Sequence, residues 1–191
     1  MKIFFKYFMT LVVCQQFYAQ KNCDFDVNET DSTGTYKSTK EYIVFERKFG
    51  ENESYLFFKL NNANGLPYLT FQYLQKNNQF IKANCLDADS KLFLQLENGK
   101  IITLVHENIE TCGNFFNNPD DAKFSRVLTG NFMFLKNSIE ELRKSPVTMV
   151  RLRSGIEITD FILKRELESE LTQKLYRPEN YFIDYLHCII D

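Results

Sequence analysis

The chain has 191 residues, with 25 acidic and 23 basic side chains, a formal charge of −2, 19 Phe, 10 Tyr and no Trp. That length suits one domain with a substantial core. The mild acidity, with no basic block, argues against nucleic acid as a partner. The wealth of Phe, Tyr, Asn and Lys resembles the amino-acid bias of AT-rich bacterial genomes.

Residues 1–19 (MKIFFKYFMTLVVCQQFYA) have the order of an export signal. Lys2 and Lys6 precede an apolar run from Phe8 to Cys14, and Ala19 supplies the small residue of a cleavage site. The run is shorter than the roughly 20 apolar residues that span a bilayer, and Gln15 and Gln16 interrupt it. A lipoprotein reading at Cys14 is disfavoured because Val13 stands where a small residue is needed. Cleavage after Ala19 leaves a single exported domain, residues 20–191, bound for the periplasm, cell surface or medium. Loss of Lys2 and Lys6 takes its formal charge from −2 to −4. Nothing after the signal resembles a membrane span.

Residues 20–40 are polar and read as an irregular lead-in. Strand signals then crowd together: Glu41 to Phe49, Ser54 to Leu60 and Tyr68 to Leu74, all rich in β-branched and aromatic residues. Asn61 to Gly65 makes the last two runs a hairpin, since Asn and Gly tolerate positive φ. Lys91 to His106 is a second hairpin. A two-residue Asn98-Gly99 turn would pair Leu96 with Ile101, Leu94 with Thr103 and Leu92 with Val105. In that register both faces are largely apolar, which predicts a sandwich or a covered sheet.

Ile109 to Asp121 reads as a long loop, and long loops in compact domains are functional or mobile. Phe124 to Leu135 is extended. Ser138 caps a short helix over Ile139 to Lys144, with Glu140 and Glu141 in its favourable first turn, and Pro146 stops it. Val147 to Arg153 and Ile156 to Leu163 form a last hairpin, for which a three-residue connection pairing Met149 with Phe161 is chemically preferred. The end is expected to be helical, with Leu167, Leu171 and Leu175 on one stripe and Phe182, Tyr185, Leu186 and Ile189 on another, broken at Pro178.

Once the signal has taken Cys14 away, Cys23, Cys85, Cys112 and Cys188 remain. An even number in an exported chain suggests disulfides. Three pairings are possible. The preferred one joins Cys23 to Cys85 and Cys112 to Cys188, tying the terminal helix to the sheet.

The order LENGKIITL (Leu96 to Leu104), Cys112, SIEELRKSPVTMVRL (Ser138 to Leu152) and a closing helix with Cys188-Ile189 resembles uncharacterised exported β-rich proteins of Gram-negative bacteria. The resemblance covers roughly residues 91–191. It implies a small exported β-rich domain and brings no activity and no catalytic residues.

Chemistry-bearing motifs are sparse. His106-Glu107 ends a strand beside the long loop, and Glu107, Glu110, Asp120 and Asp121 are loop carboxylates that acid–base hydrolysis could use if a cleft brought two together. His187 adjoins Cys188, but neighbouring helix residues face different ways, and an oxidised Cys188 is no nucleophile. Asp87-Ala88-Asp89-Ser90 begins like a calcium loop, yet Leu92 and Asn98 stand where that loop needs Gly and Glu, so turn-forming Asp residues are the better reading. Asn28-Glu29-Thr30 matches a glycosylation sequon of no consequence in a bacterial protein. Arg151 and Arg153 share a strand face, next to Arg143 and Lys144 in sequence, and a solvated face paired with Glu157 is preferred over an anion site.

The sequence therefore predicts an α+β, β-rich single domain of antiparallel hairpins, arranged as a sandwich or helix-covered sheet, with a C-terminal helix. No catalytic set, cofactor motif or metal-ligand spacing is recognised. The expected role is binding or structural, toward a protein or envelope component, with the loop 107–121 as the suggested surface. Two alternatives are kept: a secreted hydrolase using His106 or loop carboxylates, and a disulfide-bonded inhibitor of a secreted hydrolase.

Overall fold

The structure, a computed structural model, describes residues 21–117 and 123–190. Residues 1–19, read above as an export signal, with Cys14, and the loop acids Asp120 and Asp121 lie outside the described residues. The chain folds as one antiparallel β-rich domain ending in short helices, the fold class expected. In chain order the strands are β1 (Phe25–Asp31), β2 (Gly34–Thr39), β3 (Tyr42–Phe49), β4 (Asn52–Ala63), β5 (Leu66–Asn77), β6 (Cys85–Leu86), β7 (Lys91–Leu96), β8 (Ile101–His106), β9 (Thr111–Cys112), β10 (Asn114–Asn117) and β11 (Phe124–Phe134). Helix α1 (Ser138–Leu142) leads into β12 (Val147–Ser154), β13 (Glu157–Ile162), β14 (Leu167–Ser169) and β15 (Lys174–Tyr176). A 3-10 turn (Pro178–Asn180), α2 (Tyr181–Tyr185) and α3 (His187–Ile190) close the chain.

The main sheet runs β1-β2-β4-β5-β11-β8-β7-β12-β13. Its hub is the group of three long antiparallel strands β4-β5-β11, whose outer edges are each shared by two strands. The first half of β4 pairs with β3 and its end with β2; the start of β11 pairs with β10 and its end with β8. This branching lets the sheet curl so that its two halves face one another. Phe161 of β13 thereby reaches Phe45 of β3 and both Phe71 and Tyr73 of β5, with ring centroids 5.3, 6.0 and 5.0 Å apart. The core between them takes alternate residues of each strand, among them Leu56, Phe58, Leu69, Phe71, Leu92, Leu94, Leu104, Phe132, Val150 and Leu152. Each such side chain stabilises the fold by roughly 1.5–3 kcal/mol on burial. Phe182 and Tyr181 of α2 pack on Phe58 and cover one end.

Two hairpin registers lie one residue away from expectation. The β4–β5 hairpin turns on Asn64-Gly65, both with positive φ (53° and 84°), as anticipated. In β7–β8, Glu97, Asn98 and Gly99 form a three-residue loop with only Gly99 left-handed (φ 85°). That shift pairs Leu92 with Leu104 and Leu94 with Ile102, so the apolar residues fall on the core face and Phe93, Gln95, Ile101 and Thr103 point outward. Between β12 and β13 the connection has two residues, with Gly155 (φ 55°) first and Ile156 second, the glycine position of a type II′ turn. Val150 then opposes Phe161 in the core and Arg151 opposes Asp160 outside. Core burial decides both registers.

Four further expectations are corrected. The polar lead-in contains the β1–β2 hairpin, whose Thr and Val side chains suit a solvated edge. Part of the presumed long loop is strand, β9 and β10. The Leu167–Leu175 stripe is not helical. It is the β14–β15 hairpin, with Leu171 and Leu175 exposed, because Glu46 of β3 accepts hydrogen bonds from Ser169 Oγ and the Glu170 N–H. Ser138 does not cap α1 from outside; it is the first helical residue, buried, behind Asn137 with φ 66°.

Candidate functional site

All four cysteines of the described chain are oxidised, but in a different pairing from the one preferred: Cys23–Cys188 and Cys85–Cys112. Cys85 and Cys112 stand directly opposite in the small β6–β9 ladder. The terminal helix is tied instead to the residue that precedes β1. Among the described residues no helix is long and apolar enough to cross a membrane, which leaves β-barrel spanning untouched.

The Cys85–Cys112 end of the domain carries the most distinctive surface. Arg126 sits on β11 opposite Phe115 of β10 and is only 8% exposed. Its Nε donates to the Ile81 carbonyl at 2.8 Å and its Nη1 to the Gly113 carbonyl at 2.6 Å. Gly113 is a close-approach glycine: a Cβ there would stand 3.2 Å from Arg126 Cγ. The guanidinium lies 5.6 Å from the Phe80 ring centroid and 5.3 Å from that of Phe115, and these two rings are 6.0 Å apart. Phe124 continues the stack beyond Phe115 at 5.5 Å. Among the described residues no carboxylate is paired with Arg126, and its guanidinium donates to these two carbonyls. Around this buried cation large apolar groups face solvent: Phe80 is 74% exposed, Ile109 60%, Phe116 52% and Phe115 41%.

Burying a guanidinium without a counter-charge is unfavourable unless its donors are satisfied. Here two backbone carbonyls and two aromatic faces do part of that work. The buried cation and the exposed rings together suit an apolar ligand that also carries an anionic group. The suggested loop surface, 107–121, meets this end through Ile109, Gly113, Phe115 and Phe116, whereas Phe80, Ile81 and Arg126 were not singled out in the sequence. The only signal there was an arginine in a strand otherwise apolar on its inner face.

The sequence-selected acid–base candidates do not converge. His106 is buried in β8 against Phe132, with ring centroids 5.2 Å apart. Its Nδ1 lies 3.0 Å from the Asp87 carbonyl, which only accepts, so Nδ1 carries the proton; Nε2 is enclosed without a partner. Neither nitrogen meets a carboxylate. Glu107 points the other way and accepts from Asn131 Nδ2 at 2.8 Å. It terminates a chain of donors across the outer face of the sheet, in which Ser38 donates to Asn61, Asn61 to Thr70, Thr70 to Asn131 and Asn131 to Glu107. Glu110 is solvent-exposed.

The Asp87 loop behaves as a turn. The carboxylate accepts from Ser90 Oγ and the Asp89 N–H, and the Ser90 hydrogen bond is the main cause that lowers its pKa. Arg151 and Arg153 do share the outer face of β12. Arg151 is paired bidentately with Asp160 at 2.6 and 2.7 Å, not with Glu157, which takes Lys82; Arg153 stacks over Phe93. His187 does reach its neighbour Cys188, Nε2 to Sγ 3.6 Å, against expectation, but that sulfur is in a disulfide.

These features define a disulfide-bonded antiparallel β domain with an aromatic–arginine end. The chain matches no protein-family model, no curated protein and no solved structure.

Proposed function

We propose that this is an exported binding domain whose recognition surface is the Arg126 end, formed by Phe80, Ile109, Phe115 and Phe116. The observation that carries the reading is the exposed apolar cluster laid over a buried arginine that pairs with no carboxylate among the described residues. The fitting partner is a protein or envelope component that presents an apolar segment bearing a carboxylate. Export draws support from the charge and hydropathy order of residues 1–19 and from two disulfides, which persist in oxidising compartments. The resemblance to exported Gram-negative proteins is compatible with it. An inhibitor of a secreted hydrolase is one form of the same proposal, favoured by the loop that Cys112 anchors beside Ile109 and Phe115. The hydrolase reading has less support, since His106 faces the core and no carboxylate touches it.

The test is affinity capture from envelope and supernatant fractions of the native host, with the wild type and a Phe80→Ser/Phe115→Ser variant side by side. A partner retained by the wild type and lost by the variant, with binding weakened at least about tenfold, is expected. No partner for the wild type, or equal recovery with both, overturns the assignment of this surface. Amino-terminal sequencing of the native protein should begin at Gln20; a start at Met1 overturns export by cleavage.

A further inference from the structure

The Cys23–Cys188 disulfide is accompanied by an imidazole. His187 Nε2 lies 3.3 Å from Cys23 Sγ and 3.6 Å from Cys188 Sγ, and the three side-chain ligand atoms all fall within 4.8 Å of one another. The other ring nitrogen, Nδ1, is buried without any partner. A disulfide sulfur is a poor acceptor and Nδ1 has none, so the ring is held in place by packing while making no strong hydrogen bond. Cys23 and His187 are half-buried and Cys188 is buried. Solvent therefore reaches the group from one side.

We propose that these three residues form a thiol-gated site for a soft divalent cation of the zinc class, occupied when the disulfide is reduced. In tetrahedral zinc sites, sulfur and nitrogen ligands at about 2.3 and 2.0–2.1 Å from the metal stand about 3.6 Å from each other. The two nitrogen-to-sulfur separations here already approach that spacing. The Cα atoms of Cys23 and Cys188 are 5.6 Å apart, so side-chain rotation suffices to part the sulfurs to ligand distance. The reaction has two steps. A dithiol reductant delivers two electrons and two protons to the S–S bond, giving two thiols and the reductant's own disulfide. The cation then displaces both thiol protons and takes the Nε2 lone pair of His187; water fills the open fourth position. Either form cross-links the start of the strand region to the terminal helix. Reduction alone then leaves the tether open, and metal restores it. The inference does not depend on the binding surface proposed above.

The test titrates the purified protein with Co²⁺ after anaerobic reduction by a phosphine. One cobalt per chain is expected, with a thiolate-to-cobalt charge-transfer band and tetrahedral d–d bands that zinc bleaches. The bands should persist in a Cys85→Ser/Cys112→Ser variant and vanish in Cys188→Ser. In His187→Ala the dissociation constant should rise about tenfold or more. Alkylation with iodoacetamide followed by peptide mapping keeps the test decisive if a variant fails to fold: in reduced wild type, cobalt should shield Cys23 and Cys188 but not Cys85 and Cys112. No band in the reduced wild type, equal shielding of both pairs, an affinity unmoved by His187→Ala, or a loss of β-sheet circular dichroism on reduction that cobalt does not reverse overturns the proposal.

Discussion

Gly130 of β11 faces the core where Leu86 and His106 close over it. A Cβ at that position would lie 2.3 Å from Leu86 Cδ1 and 2.9 Å from His106 Nε2. Gly130→Ala should therefore destabilise the domain by about 1–3 kcal/mol through overpacking, read as a lowered urea midpoint with an unchanged slope; a midpoint within error of the wild type would disprove the tight contact. At this scale the sequence is legible in part. Cysteines behind an expected export signal speak for disulfides, but their partners depend on which distant backbones meet, and Cys23 and Cys188 are separated by 165 positions. Arg126 could not be picked out for the same reason. Its burial and its aromatic neighbours come from two separate segments, one around Phe80 and Ile81 and one that runs from Gly113 to Phe115.

Between elements, the outer face of the sheet is stitched by the donor chain from Ser38 to Glu107. Every hydrogen bond in it points toward the carboxylate, which favours cooperative polarisation. Asn61 is the busiest member: its Oδ1 accepts from Ser38, and its Nδ2 donates to Thr70 and to the Lys59 carbonyl. Asn61→Ala should cost about 1–3 kcal/mol because it strands buried polar groups. The combination with Ser38→Ala should cost less than the sum of the single changes, since the two share one hydrogen bond. Strict additivity in denaturant unfolding would show the chain is not coupled. Element positions were readable where apolar alternation was dense, as in β3, β4, β5 and β12. Registers were not, because a two- and a three-residue turn are both compatible with Asn98-Gly99 or Ser154-Gly155, and the face that must be buried chooses between them. The Leu167–Leu175 stripe misled because Glu46, 123 and 124 positions earlier, captures Ser169 and Glu170 and holds a hairpin in place of a helix.

Across the whole molecule, surface carboxylates tie strands and loops together. The pKa of Asp26 is lowered by its hydrogen bond to Lys59, Asp31 by Thr33, Glu53 by Lys123, Glu141 by Lys100 and Asp160 by Arg151. With folded values below unfolded ones, their stabilisation is complete above the unfolded carboxylate range near pH 4 and is lost as pH falls through the folded values. Glu179 runs the other way: burial raises its pKa, so its contribution is present at low pH and lost as pH rises through the raised value. The lowered group outnumbers it, so the melting temperature should fall between pH 5 and pH 3, about in the range set by these carboxylates. Added salt should shrink the drop, because the pairs are exposed and screened. A flat or rising melting curve on acidification contradicts this balance. By itself, the sequence determined the β-rich class, most strand positions, the closing helical segment from Phe182 to Ile189 and the presence of disulfides, since these follow from local periodicity, turn residues and composition. Tertiary structure alone decided the strand registers, the disulfide partners, the aromatic setting of Arg126 and the meeting of His187 with two sulfurs. Each of those is a contact between distant segments, and it is selected by which faces the closing sheet must remove from water.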